Sequence, residues 1–118
     1  MIKIKRTYDS WKTQDGFRIL VDRLWPRGIS KKRAHLDLWL KEIAPSDALR
    51  KWFGHDPKRW AGFGAKYRKE LAKKTDLVRQ IKKLEREKGD ITLLYSAHDT
   101  LHNQAVVLLQ FLKGARSK

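Results

Sequence analysis

The sequence predicts a single small α/β domain over residues 1–118, with a mixed sheet of about three or four strands flanked by helices. Short apolar runs at residues 17–25 and 91–95 are typical of buried strands. Amphipathic stripes with clear helix start and stop signals lie between these runs, over residues 46–88. Alternation of strands and helices is compatible with a Rossmann-like half.

The first two predicted strands lie close together in the chain. Ile2 and Ile4 alternate with lysines, which indicates a short strand with one solvated face. Residues 17–25 carry apolar side chains on both parities, which favours a central strand buried on both faces. Because the link between them is too short for a crossover helix, we expect antiparallel pairing if these strands are neighbours.

Residues 30–43 fit two patterns. Pro26 ends the preceding strand, and residues 25–28 fit a type I turn. Alternating leucines indicate a strand, which we favour over residues 36–42. A helical stripe fits equally well, through Leu36, Trp39, Leu40 and Ile43.

Four helices are predicted after this region. Ser46 is the N-cap of the first, and Asp56 with Pro57 opens the second. The third runs from about Asp76 to Lys88 and ends at Gly89. After the strand at 91–95, an apolar helix is expected over residues 100–113, followed by a loose tail.

The composition is strongly basic: 28 Lys and Arg against 13 Asp and Glu give a net charge of +15. Such a surface attracts nucleic acid or anionic small molecules, although a merely solvated basic surface fits as well. The absence of cysteine excludes disulfides and thiolate chemistry. No apolar stretch reaches the ~20 residues of a membrane span, and no signal peptide is evident, so we expect a cytoplasmic protein without membrane contact.

The segment DRLWPRG, residues 22–28, is the first candidate site. Arg23 continues the inward parity of the strand, where a guanidinium needs a carboxylate, carbonyl groups or a bound anion. Arg27 follows in the turn and is placed to reach the same anion. Alternatively, Arg23 pairs with an internal carboxylate and Arg27 is merely exposed.

The segment WFGHDP, residues 52–57, is the second. Helix capping accounts for Asp56, which leaves His55 at the junction between two helices. His55 is either a ligand-binding residue or an ordinary loop histidine.

The segment SAHDTLHN, residues 96–103, is the third and lies between a buried strand and a helix. Asp99 or Thr100 is the expected N-cap, with His98 in the loop and His102 and Asn103 in the first helical turn. A helix N-terminus presents free N–H groups to an anion. The two histidines have the spacing of a metal pair, but no third ligand is near in sequence, so we predict neither metal nor cofactor.

Three long motifs resemble those of the domain-of-unknown-function family 488, in its YeaO-like branch: FRILVDRLWPRGISKKRA, LWLKEIAPSDALRKWFGHDP and LLYSAHDTLHNQAVVL. The resemblance covers nearly the whole chain and implies a small cytoplasmic α/β protein with no established reaction. A sister branch carries Cys-His-Arg where this chain has Leu101-His102-Asn103, so thiol chemistry of that kind cannot operate here. The family motifs fall on Asp22, Arg23, Trp25, Pro26, Arg27, Gly28, Trp52, Phe53, His55, Asp56, Asp99, His102 and Asn103.

Three functions remain open on the sequence. We rank first a pocket at the strand C-termini for a phosphate or carboxylate, with catalysis left undecided. The alternative is electrostatic nucleic-acid binding through the basic helices at 66–88 and the run at 31–33. The third is an interaction domain whose polar motifs only brace loops. The predicted ligand-binding residues are Arg23, Arg27, His55, His98, His102 and Asn103.

Overall fold

The computed structural model describes residues 1–115, which form four strands and five α-helices. The α/β class with four strands is confirmed. Beyond Ala115, the predicted tail lies outside the described residues. The elements in chain order are β1 (Ile2–Arg6), β2 (Phe17–Leu20), α1 (Lys31–Ala34), β3 (Leu38–Trp39), α2 (Asp47–Phe53), α3 (Trp60–Ala72), α4 (Thr75–Lys88), β4 (Ile91–Tyr95) and α5 (Gln104–Ala115).

The strands form one sheet in the order β1-β4-β2-β3, and every pairing within residues 1–115 is parallel. The sequence-based prediction of a mixed sheet is therefore wrong, because the described sheet is parallel throughout. β4, from the far end of the chain, pairs with β1 on one side and with β2 on the other, so β1 and β2 are not neighbours. The connection from β1 to β2 passes β4, which lies between them in the sheet, and it is a loop with one 3-10 turn.

The start of β2 is fixed by a close approach of two backbone segments. The N–H of Phe17 donates to the carbonyl oxygen of Asp90, at 2.9 Å. A Cβ atom on Gly16 would lie 2.3 Å from that same oxygen, and the φ of Gly16 is +67°. Only glycine satisfies both constraints. Gly16 thus makes the contact that sets β2 against β4.

The hydrophobic core surrounds β4, all five residues of which are buried. Val78 and Ile81 of α4, with Leu108 and Leu112 of α5, belong to the same buried cluster. Each fully buried aliphatic side chain contributes roughly 1.5–3 kcal/mol. The apolar run at 91–95 is confirmed as a buried strand, with the predicted bounds.

An ion-pair cluster is buried at β2. The side chain of Arg18 is 1% exposed and donates to the Asp15 carboxylate and to the carbonyl oxygens of Ala34 and His35, the last two at 2.9 and 3.1 Å. Lys5 Nζ lies 3.0 Å from Asp15 Oδ2. Since these residues come from β1, β2, α1 and the loops beside them, the cluster joins four segments of the chain.

Strand bounds near the carboxyl edge differ from the prediction. β2 ends at Leu20 rather than at residue 25, and β3 has two residues rather than the predicted 36–42.

The side chain of Asp22, not its main chain, pairs with the N–H of Ser96, at 2.9 Å. The Asp22 carbonyl accepts from Trp39 Nε1 at 2.7 Å. Side chains thus replace the main-chain ladder where the strands diverge.

Helix starts follow their caps. The hydroxyl of Ser46 accepts from the N–H of Leu49, which confirms the predicted cap of α2. Asp56 accepts from the N–H of Lys58 and opens a 3-10 turn, Pro57–Arg59, that leads into α3. The predicted end of α4 at Lys88, with Gly89 as its cap, is confirmed.

The last helix begins at Gln104, four residues later than predicted, and runs through Gly114 instead of ending before it. The Asp99 carboxylate accepts the N–H groups of Leu101 and His102, which holds this stretch in a turn. Asn103 Oδ1 accepts the N–H of Val106, so Asn103 caps the helix in place of Asp99 or Thr100.

Candidate ligand-binding cleft

A cleft of about 760 Å³ lies at the carboxyl edge of the sheet. All four parallel strands end there, and the segments that follow them form its walls, which is the usual ligand position in open α/β sheets. The cleft brings together residues from all three candidate segments. The lining residues are Tyr8, Asp22–Arg27, Ala44, Pro45, Arg50, Phe53, His55, Phe63, Ser96–Asp99, Asn103 and Gln104.

Arg23 is half-buried in the wall of the cleft. Its Nε donates to the carbonyl oxygen of Pro45 at 3.2 Å, and its Nη2 donates to that of Ala44 at 3.3 Å. Within residues 1–115 it forms no ion pair with a carboxylate, so the alternative of an internal acidic partner is not observed. Neutral carbonyl groups orient the guanidinium but leave its positive charge uncompensated.

A second cation lies behind Arg23. Lys74 Nζ donates to the same Ala44 carbonyl oxygen, at 2.8 Å. Burial lowers the pKa of Lys74, the nearby Glu70 opposes that change, and the charge of Arg23 adds to it. Glu70 and Glu42 also act on Lys74, so charges of both signs lie behind Arg23.

Two further arginines line the opening. Arg27 is exposed, and in the described part of the chain its guanidinium has neither a hydrogen bond nor an ion pair; only its carbonyl oxygen is bonded, to the Tyr8 hydroxyl at 2.9 Å. Arg50 forms an exposed ion pair with Asp47, with the two groups 3.2 Å apart. Arg27 is thus the more available of the two for a ligand.

Asp22 is the principal acidic group of the cleft and ties two of its walls together. Its carboxylate accepts from the N–H of Ser96, at 2.9 Å, and from Gln104 Nε2. Burial raises the pKa of Asp22, and this effect outweighs the hydrogen bonds from Ser96 and Gln104 and the attraction of His55. The segment after β2, which carries Arg23, is thereby fixed to the loop after β4.

His55 and His98 are exposed histidines in the lining of the cleft. His55 follows Gly54, and both have positive φ angles, of 57° and 52°. A non-glycine residue in this region is strained by roughly 1–2 kcal/mol, and such strain is concentrated at functional sites. His35, which follows α1 and does not line the cleft, also has a positive φ, of 48°, so its place in the lining, and not its backbone conformation, distinguishes His55.

His102 and Asn103 precede the helix instead of forming its first turn. His102 is not among the residues that line the cleft; its Nδ1 lies 2.9 Å from Asp99 Oδ2, and its ring meets Trp60 edge-on with centroids 5.1 Å apart. Asn103 lines the cleft but is 1% exposed, and its amide group donates to the Asp99 carbonyl oxygen at 2.9 Å. Both side chains hold the loop after β4 in place.

Asp99 is the second acidic group of the lining and differs from Asp22. The N–H of Leu101, the ring of His102 and the N–H of His102 hold the pKa of Asp99 below its ordinary value. The pKa of Asp99 therefore lies below that of Asp22.

We expect a ¹³C-detected NMR titration of the carboxyl groups to separate these two aspartates. The midpoint of Asp22 should lie above that of a solvated aspartate, and the midpoint of Asp99 below it. By linkage, the stability due to Asp22 is present at low pH and is lost as the pH rises through its folded-state pKa. Asp99 has the opposite dependence. Equal midpoints would contradict the described environments.

Several cleft residues escaped the sequence-based prediction. Asp22 was recognised only as part of a family motif, although a carboxylate directly after a buried strand is itself a signal. Tyr8, Leu24 and Arg50 carry no sequence signal, because only the parallel arrangement of the strands brings their segments to one edge.

The described residues contain no group of three or more His, Asp or Glu side chains that would hold a metal ion. Over the same residues, no helix is long and apolar enough to cross a membrane.

The fold and the cleft define a small parallel α/β protein with a cationic cleft at the carboxyl edge of its sheet. The chain belongs to the family described as the inactive DUF488-N3 subclade, DUF488-N3i, whose model matches residues 1–118. It is 46% identical to the uncharacterized protein YeaO of Escherichia coli strain K12, over 96% of this chain and 97% of that protein. It is 34% identical to the uncharacterized proteins Rv3073c of Mycobacterium tuberculosis strain H37Rv and Mb3100c of Mycobacterium bovis, over 96% of this chain and 94% of each relative. The predicted resemblance to the YeaO-like branch is thus confirmed, and no solved structure matches the chain.

Proposed function

We propose that this protein binds a small anion, a phosphate or carboxylate, in the cleft at the carboxyl edge of the sheet. The observation that carries the proposal is the state of Arg23. Its guanidinium is held by the carbonyl oxygens of Ala44 and Pro45 and lines the cleft without an acidic partner in residues 1–115. An oriented, uncompensated guanidinium is well suited to a charge-assisted bond with an oxyanion.

The charge balance of the lining supports an anionic ligand. Three arginines face two aspartates, and both aspartates are engaged by internal donors. The net charge of +15 adds a long-range attraction for anions. A cationic ligand would have to displace these internal bonds and approach a positive surface.

The six predicted ligand-binding residues have different parts in this proposal. Arg23, Arg27, His55 and His98 contact the ligand directly. His102 and Asn103 act as positioning residues, since their polar atoms bind Asp99 and the start of α5. The description of the family as inactive favours binding over turnover. Leu101, at the position where a sister branch carries cysteine, agrees with that description.

The proposal is tested by ¹H–¹⁵N NMR with inorganic phosphate and with acetate, at low ionic strength and near neutral pH. We expect saturable shifts of the Arg23 and Arg27 side-chain signals and of the Ala97 and His98 amides. Sodium chloride at matched ionic strength is the control. The absence of saturable shifts, or shifts scattered over the whole basic surface, would contradict the proposal.

Nucleic-acid binding is the second candidate, favoured by a stripe on α4. Arg79, Lys83 and Arg86 recur every three or four residues and are all exposed, opposite the buried Val78 and Ile81. Such binding would be electrostatic, with an affinity that falls steeply as salt is added. A duplex oligonucleotide that shifts the signals of α4 and spares those of the cleft would select this candidate.

A further inference from the structure

The cleft is much larger than an inorganic oxyanion requires. At ~30 Å³ per water molecule, its volume of about 760 Å³ corresponds to roughly 25 waters. Sites of a few hundred to a thousand Å³ ordinarily bury an organic ligand. An inorganic phosphate on Arg23 would leave most of this space to solvent.

The walls of the cleft are mainly apolar. Leu24 is 61% exposed and lines the cleft. Trp25 donates its indole N–H to the carbonyl oxygen of Ile29 at 2.7 Å, so it offers a ligand only its ring. Deeper in the wall, Phe53 and Phe63 are stacked with centroids 4.3 Å apart. Contact of an apolar group with Leu24 and the Trp25 ring would remove exposed apolar surface from water, while Phe53 and Phe63, only 6% and 2% exposed, support that wall from behind.

The anchoring charge and the apolar walls belong to one cleft. We infer that its ligand is an organic anion, in which one carboxylate or phosphate monoester group is joined to an aromatic or similarly bulky apolar part. The anionic group binds Arg23, and the apolar part lies against Leu24 and the aromatic wall. This inference rests on the proposed function and specifies the class of ligand.

The inference is tested by calorimetry and NMR with matched probes. Acetate is compared with phenylacetate, and inorganic phosphate with phenyl phosphate; phenylacetamide has the same ring without the charge. We expect each aromatic anion to bind at least about tenfold more tightly than its small counterpart, as burial of a ring implies. Phenylacetamide should bind much more weakly than phenylacetate. The stronger of the two aromatic anions identifies the carboxylate or the phosphate form.

Two leucines provide a matched pair of variants. Leu24→Ser removes apolar surface from the cleft, and Leu101→Ser alters a leucine that is 71% exposed and does not line it. Because both side chains are largely exposed, neither change threatens the core. We expect Leu24→Ser to weaken phenylacetate binding, relative to acetate binding, about threefold or more, with no effect of Leu101→Ser on either probe.

The outcomes separate this inference from the proposed function. If the small and aromatic anions bind equally well, or if Leu24→Ser and Leu101→Ser behave alike, the organic-anion inference is wrong and anion binding stands. If none of the anions binds, or if phenylacetamide binds as tightly as phenylacetate, anion binding itself is wrong and the inference falls with it.

Discussion

Replacement of Arg18 by methionine is expected to lower the free energy of unfolding by about 3–5 kcal/mol, the usual cost of breaking a buried ion pair from one side. The guanidinium of Arg18 is 1% exposed. Its loss would leave the carbonyl oxygens of Ala34 and His35 without this donor and would remove one of the two cations that contact Asp15. Urea denaturation followed by circular dichroism gives the value directly.

The matched control for this prediction is Arg50→Met. Arg50 also pairs with an aspartate three residues away, but both groups are exposed. Exposed pairs of this kind contribute at most about 1 kcal/mol, so the change in stability should be small. If the two variants lose similar amounts of stability, the buried ion-pair cluster around Arg18 does not stabilise the fold more than an exposed ion pair does.

The ion-pair cluster around Arg18 also predicts how the stability of the protein depends on pH. Burial alone would raise the pKa of Asp15, but hydrogen bonds from Lys5, from the N–H of Lys12 and from Arg18 outweigh it and hold the value below the ordinary one. The stability due to Asp15 is therefore present above its unfolded-state pKa and is lost as the pH falls through its folded-state value. The gap in stability between wild type and Arg18→Met should narrow in acid, because the proton neutralises the carboxylate that Arg18 compensates.

Replacement of Arg23 by glutamine is expected to lower the affinity for phosphate or carboxylate by about 10- to 100-fold. A charge-assisted hydrogen bond contributes about 1.5–3 kcal/mol, and 1.4 kcal/mol corresponds to a factor of ten. Glutamine retains a donor for the carbonyl oxygen of Ala44 or Pro45 but carries no charge. The dissociation constants are measured by NMR titration, with circular dichroism to verify the fold.

Two further variants distinguish anion binding from bracing of the loop. Arg27→Gln changes a side chain that makes no bond within residues 1–115, so it should preserve stability and weaken anion binding less than the change at Arg23. Arg23→Lys retains the charge and should recover part of the affinity. If Arg23→Gln lowers stability but leaves anion affinity unchanged, Arg23 only braces the segment at Ala44 and Pro45.

The cleft contains residues that brace its loops and residues that the proposed function assigns to ligand binding. Asp22, Asp99 and Asn103 bind main-chain or amide groups of the surrounding loops, as the interaction-domain hypothesis expected of polar motifs. Arg27 and His98 have no such bonds in the described part of the chain. The braced residues fix the shape of the cleft, and the proposed function assigns the side chains of Arg27 and His98 to the ligand.

The sequence by itself determined the α/β class, the buried strand at 91–95, the caps at Ser46, Asp56 and Gly89, and the candidate segments. These features depend on hydrophobic periodicity and on local turn and cap chemistry, which act between residues a few positions apart. It also predicted that Arg23 would need carbonyl groups, a carboxylate or an anion, because the cost of burying a guanidinium does not depend on the fold.

Tertiary structure alone decided the rest. The insertion of β4 between β1 and β2 made the sheet parallel, and pairing between distant segments leaves no local trace in either strand. The late start of α5 depended on competition between the Asp99 side chain and the helix for the same N–H groups. The parallel sheet and the late start of α5 together determine that Asp22 lines the cleft and that His102 does not. Both features are set by long-range packing and not by sequence spacing.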